Sequence, residues 1–84
     1  MKKNLLITGG SGYLGINLAL KFKNKYNVYI GSRNQKRNYD ASLKTNCEAI
    51  PSDVTNIESI RDAVNYCKPE IIIHAAATKF VDIS

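Results

Sequence analysis

The chain has 84 residues, a formal net charge of +5, 44% hydrophobic and 23% charged residues, two cysteines and no tryptophan. That length suits one small domain of the about 50–250-residue class, with a core that buries only roughly 60–65% of the unfolded surface. Apolar residues spread along the chain argue against disorder, and Cys47 and Cys67 lie in unrelated segments and make no disulfide framework. No run approaches the about 20 apolar residues of a membrane span, and Gly9 to Gly12 interrupt any leader-like stretch. These features read as a soluble, cytoplasmic protein.

Leu5-Leu6-Ile7 is the first apolar run, short in the manner of a strand buried on both faces. Leu14, Leu18 and Phe22 then recur at helical spacing, with Gly15 and Ala19 as a small-residue stripe beside them. Lys21, Lys23 and Lys25 crowd the end of that helix, where the dipole favours cations. That explanation leaves little for nucleic-acid binding, which calls for a basic patch with groove-entering or aromatic elements. Val28-Tyr29-Ile30 reads as a second strand. The polar segment from Arg33 to Thr45 carries Asn34, Asn38 and Asp40 as turn formers and reads as a loop with a short helix, with Tyr39, Ala41 and Leu43 available for burial. Cys47-Glu48-Ala49-Ile50 is a weaker third strand. Ile57, Ile60, Val64 and Cys67 mark a helix, with Thr55 and Glu58 as a capping box and Pro69 beyond its end. Ile71-Ile72-Ile73 forms the fourth strand.

This α/β alternation predicts a doubly wound parallel sheet in spatial order 3-2-1-4. A complete sheet of this kind has about six strands, so the expectation is the N-terminal part of a Rossmann-type domain over residues 1–84, with a substrate domain absent. A fourth strand over Glu70 to His74 without a fifth beside it leaves an apolar edge, and the expectation for such a chain alone is poor solubility or dimerisation.

The sharpest motif is Thr8-Gly9-Gly10-Ser11-Gly12-Tyr13-Leu14-Gly15, directly after the first strand and opening the first helix. Glycines at 9, 12 and 15 suit a tight turn, close approach of backbone to a pyrophosphate and close packing of helix on sheet. The helix N-terminus adds free N–H donors and partial positive charge. A P-loop is excluded, because no Gly-Lys-Ser/Thr follows.

The Thr-Gly-x-x-Gly-x-x-Gly spacing resembles the extended branch of the short-chain dehydrogenase/reductase superfamily, the epimerases and dehydratases. Asp53-Val54 after the third strand is similar to that family's Asp-Val block, whose carboxylate holds the adenine amino group; the alternative is a loop residue before the Thr55 cap. His74-Ala75-Ala76-Ala77 is similar to the family's His-x-Ala-Ala block beneath the cofactor's ribose and pyrophosphate. His74 itself ends a strand with no second ligand at metal spacing and reads as structural. His74 to Val81 further resembles nucleotide-sugar dehydratases and epimerases of polysaccharide biosynthesis, which places Lys79 beside cofactor or substrate, or leaves it an exposed loop lysine.

The end of the second strand separates the two nicotinamide cofactors: an acid there suits NAD, an arginine the 2′-phosphate of NADP. Here the residues are Ser32, Arg33 and Asn34, followed by Lys36 and Arg37, with no acid. Arginine grips phosphate through a planar fork, and Ser32 is positioned to donate a hydrogen bond. NADP is therefore expected, with NAD second, in a site where Asn34 reaches the ribose. The resemblance implies a UDP-sugar 4,6-dehydratase or epimerase working through a 4-keto intermediate, and a homo-oligomer when complete. The family's base is the tyrosine of Tyr-x-x-x-Lys, and none of the five tyrosines has lysine four residues on. No catalytic residue and no metal ligand is assigned, so a cofactor-binding part of an enzyme and a non-catalytic NAD(P)-binding sensor both remain open.

Overall fold

The computed structural model describes residues 2–75. The four apolar runs become four parallel strands, β1 (Asn4–Thr8), β2 (Asn27–Ser32), β3 (Glu48–Pro51) and β4 (Ile71–His74), in the order β3-β2-β1-β4. The expected order 3-2-1-4 is the observed one. Between them lie the helices α1 (Tyr13–Phe22), α2 (Gln35–Thr45) and α3 (Ile57–Cys67). Central β1 pairs Leu5 with Val28 and Ile71 on its two sides, and Thr8 with Gly31 and His74, so the strand ends come level at one edge of the sheet.

Both faces of β1 are covered, which is why its apolar residues run consecutively. Leu5 and Ile7 join Val28, Ile30, Ala19 and Ala41 on the face carrying α1 and α2. Leu6 points the other way, to Ile50, Ala63 and Cys67 under α3. Burial holds the Cys67 thiol above its usual value, and Asn4 Nδ2 donates to the Cys67 carbonyl at 2.7 Å, tying the end of α3 to the start of β1. Tyr66 donates to the Glu48 carboxylate and meets the Tyr29 ring edge-on at 6.3 Å, closing α3 over β2 and β3.

Three local expectations are corrected. The Arg33–Thr45 segment forms an eleven-residue helix, with Asn34 as N-cap and Asn46 in the left-handed conformation at its end. Its buried side is Asn38, Ala41 and Thr45, whereas Tyr39 and Leu43 are 66% and 67% exposed. A helix docked by polar and small groups carries no apolar periodicity to find. Second, α3 is capped by Asn56, whose Oδ1 accepts from the Glu58 and Ser59 N–H groups; the Thr55 hydroxyl is diverted to Asp53. Third, α1 buries Gly15 and Ala19 and leaves Leu14 exposed, because the helix lies against its own glycine turn. A Cβ on Gly15 would stand 2.3 Å from Gly10 Cα, so only glycine permits that approach.

Candidate functional site

The level strand ends, the glycine turn and the start of α2 enclose a cleft of about 640 Å³. It lies outside the carboxyl ends of the strands, beside β1 where the chain order reverses between β2 and β4. Open α/β sheets bind ligands at such a switch point.

Gly9, at φ 67°, turns the chain off β1 in a conformation that suits glycine. Ser11, Gly12, Tyr13, Leu14 and Gly15 follow along the same wall. Gly12 caps α1 without any side-chain hydrogen bond and the first turn holds no acid, in contrast to the asparagine caps of α2 and α3. The first N–H groups of α1 therefore face the cleft with their partial positive charge uncompensated by any side chain among the described residues. An added Cβ at Gly12 would touch nothing nearer than the Gly9 carbonyl at 3.9 Å, so the space above the turn is open. Thr8 lies beneath, 4% exposed, with its hydroxyl against His74 Nδ1 at 2.6 Å and the Ile73 carbonyl at 3.4 Å. It braces β1 against β4 and is not on the cleft wall.

Ser32, Arg33 and Asn34 form the opposite wall, joined by Arg37 from the first turn of α2. Asn34 Oδ1 accepts from the Arg37 N–H at 3.0 Å, so this asparagine's acceptor is engaged as a helix cap. Both arginine side chains are exposed. Ser32 differs: it is 9% exposed, and its hydroxyl donates to Asn38 Oδ1 at 2.8 Å.

The third wall is Ser52, Asp53, Val54 and Thr55 after β3. Asp53 Oδ1 accepts from the Thr55 hydroxyl at 2.6 Å and the Thr55 N–H at 2.9 Å. These two bonds, with the nearby Arg33 charge, hold the Asp53 carboxyl below its ordinary range. Oδ2 has no partner among the described residues. Ser52 is 3% exposed, and its hydroxyl is the one buried side-chain polar atom without a partner among the described residues. Ala75 and His74 close the floor. Ala76, Ala77 and Lys79 lie outside the described residues. Of the neighbouring groups, Ser52 stood out only as the residue before Asp53-Val54, Asn38 read as a turn former whereas it is buried inside α2, and Arg37 stood out only as part of a basic run.

The arrangement suits a ligand with a central anion for the α1 terminus, a second negative group for the arginines, and a donor for Asp53. Among the described residues no three His, Cys, Asp or Glu side chains cluster as metal ligands, and no helix is long and apolar enough to cross a membrane.

Residues 6–84 match the family model described as GDP-mannose 4,6 dehydratase. The chain belongs to that family. The GDP-mannose 4,6-dehydratase family is a branch of the extended short-chain dehydrogenases, and membership implies NAD(P) binding. The chain is 34% identical over 77 residues to the GDP-6-deoxy-D-talose 4-dehydrogenase of Aggregatibacter actinomycetemcomitans, covering 92% of this chain and 22% of that protein. It also resembles the crystal structure of a short chain dehydrogenase from Bacillus anthracis, with a TM-score of 0.77 and 25% identity over 86% of this chain and 34% of that one. The chain thus spans about a fifth of the curated relative's length.

Proposed function

We propose that this chain is the N-terminal, NADP-binding part of an enzyme that dehydrates or epimerises a nucleotide-linked hexose. The observation that carries this reading is the uncapped α1 terminus facing a wall of Arg33 and Arg37 across one cleft. The open space at Gly12 and the Ser52 hydroxyl, which has no partner among the described residues, favour a ligand there over a merely structural turn.

On this reading the α1 N–H groups hold the pyrophosphate and the glycine turn keeps side chains out of its way. Arg33 and Arg37 bind the 2′-phosphate, and Asp53 Oδ2 accepts from the adenine amino group while Thr55 fixes the carboxylate's orientation. His74 and Ala75 form the floor, which Thr8 braces from beneath; Ala76, Ala77 and Lys79 are assigned to the cofactor by the sequence resemblance alone. When bound, the nicotinamide supplies reversible hydride removal at sugar C4, which is the chemistry of a 4-keto route. The proton acceptor for the C4 hydroxyl is not in this chain, since no tyrosine here has the lysine partner. The sequence resemblance suggested UDP-sugars; the matching family and the curated relative are both named for GDP-linked hexoses, which makes a GDP-hexose the first substrate to test.

The test is calorimetric titration of the full-length protein with NADP and NAD, alongside Arg33→Ala. NADP is expected to bind more tightly, with Arg33→Ala weakening NADP roughly tenfold and NAD little, the loss of one charge-assisted contact. Tighter binding of NAD overturns the NADP preference. Binding of neither by the folded protein overturns the cofactor reading.

A further inference from the structure

Asn38 lies inside α2, 6% exposed, and its amide has only one workable orientation. Two carbonyl oxygens, of Ser32 at 2.9 Å and Ile50 at 3.3 Å, face one end of the amide, and carbonyls only accept. That end must be the NH2 group. The oxygen consequently faces the Ser32 hydroxyl at 2.8 Å and requires its proton. The competing acceptor for that proton, the Asn34 carbonyl, stands at 3.5 Å and is too distant to win. With its single proton directed to Asn38, Ser32 Oγ meets its remaining neighbours as an acceptor: the Asn34 N–H at 3.3 Å and the Ser11 hydroxyl at 3.0 Å. Ser11 therefore donates inward and turns lone pairs to the cleft.

We propose that Asn38 is a specificity-determining positioning residue, which sets proton direction along Ser32 and Ser11 so that the glycine turn offers the ligand an acceptor. The inference rests on the dinucleotide reading of the cleft and adds a division of labour to it. An acceptor receives a ribose hydroxyl and repels a phosphate oxygen, so recognition of the 2′-phosphate is left to Arg33 and Arg37. It also reverses the role expected of Ser32, whose proton is not available for a ligand phosphate.

Opposite signs separate the two roles. In the full-length protein, NADP and NAD dissociation constants are measured by calorimetry for the wild type, Ser32→Ala and Asn38→Leu. Ser32→Ala releases the Ser11 proton for a phosphate oxygen, and the preference for NADP over NAD is expected to rise about three- to tenfold. Asn38→Leu should shift the ratio the same way, and adding Ser11→Ala to Ser32→Ala should abolish the gain. If Asn38→Leu fails to fold, the small Ser32→Ala change still decides the matter. A fall in the ratio for Ser32→Ala overturns the proposal and makes Ser32 a phosphate donor. An unchanged ratio, or equal loss of both affinities, overturns it by reducing Asn38 to a structural role. A folded wild type that binds neither cofactor removes the dinucleotide reading itself, and this proposal with it. A wild type preferring NAD removes only the NADP preference, since the change in ratio is still read.

Discussion

Gly12 and Gly15 stand three residues apart in one motif, yet the space around them differs. A Cβ at Gly15 meets Gly10 backbone atoms at 2.3–2.5 Å, so Gly15→Ala forces α1 away from the turn. Its expected cost is about 2–3 kcal/mol, read from the urea midpoint. Gly12→Ala meets no near neighbour and costs at most about 1 kcal/mol as a poorer cap. It places a methyl in the open space above the turn, and on the proposed reading it weakens dinucleotide binding more than it weakens the fold. Asp53 contributes through protonation. The Thr55 hydroxyl and N–H depress its folded pKa, so at acid pH the unfolded chain binds the proton more readily. The resulting stability is complete above the ordinary carboxylate range and vanishes as pH falls through the folded value. Urea midpoints of wild type and Asp53→Asn should therefore differ at neutral pH and converge in acid.

At the level of elements, α1 and α2 begin by different means. Asn34 supplies the α2 cap, and Asn34→Ala is expected to cost about 1 kcal/mol in a thermal or urea melt and to loosen the Arg37 backbone. The strands were readable from sequence because Leu5, Leu6 and Ile7 are each buried, on alternate faces, and so form an unbroken apolar run. The glycine turn was readable because its backbone conformation and close contacts restrict residue choice. The true extent of α2 was not readable, since Asn38, Ala41 and Thr45 keep helical spacing without hydrophobicity while Tyr39 and Leu43 mislead from the solvent side. The α3 cap was misread by one position because Asp53-Val54-Thr55-Asn56 offers several capping side chains, and the contest is settled by Asp53 engaging Thr55. Within the cleft, the walls could be assembled from motif order, whereas the direction of hydrogen bonds behind Ser32 needed three elements brought together.

For the molecule as a whole, the sheet sets a gradient from centre to edge. Ile7 in β1 is fully buried between neighbours on both sides, and Ile7→Ala is expected to cost about 2–5 kcal/mol. Ile72 in β4 is 52% exposed on the α3 face, and Ile72→Ser should change stability by no more than about 0.5 kcal/mol. Paired urea titrations measure both. Heat capacity draws a different division. Exposing apolar surface raises the heat capacity of unfolding and exposing polar surface lowers it. Releasing α2 uncovers Asn38 and Thr45 beside Ala41, so the two contributions offset and the hold on this helix lacks the heat-capacity curvature that weakens apolar packing in the cold. The packing of Leu5, Leu6 and Ile7 has no such compensation and slackens on cooling. In the cold, the helix that carries Arg37 keeps its hold while the sheet behind it loses some of its own.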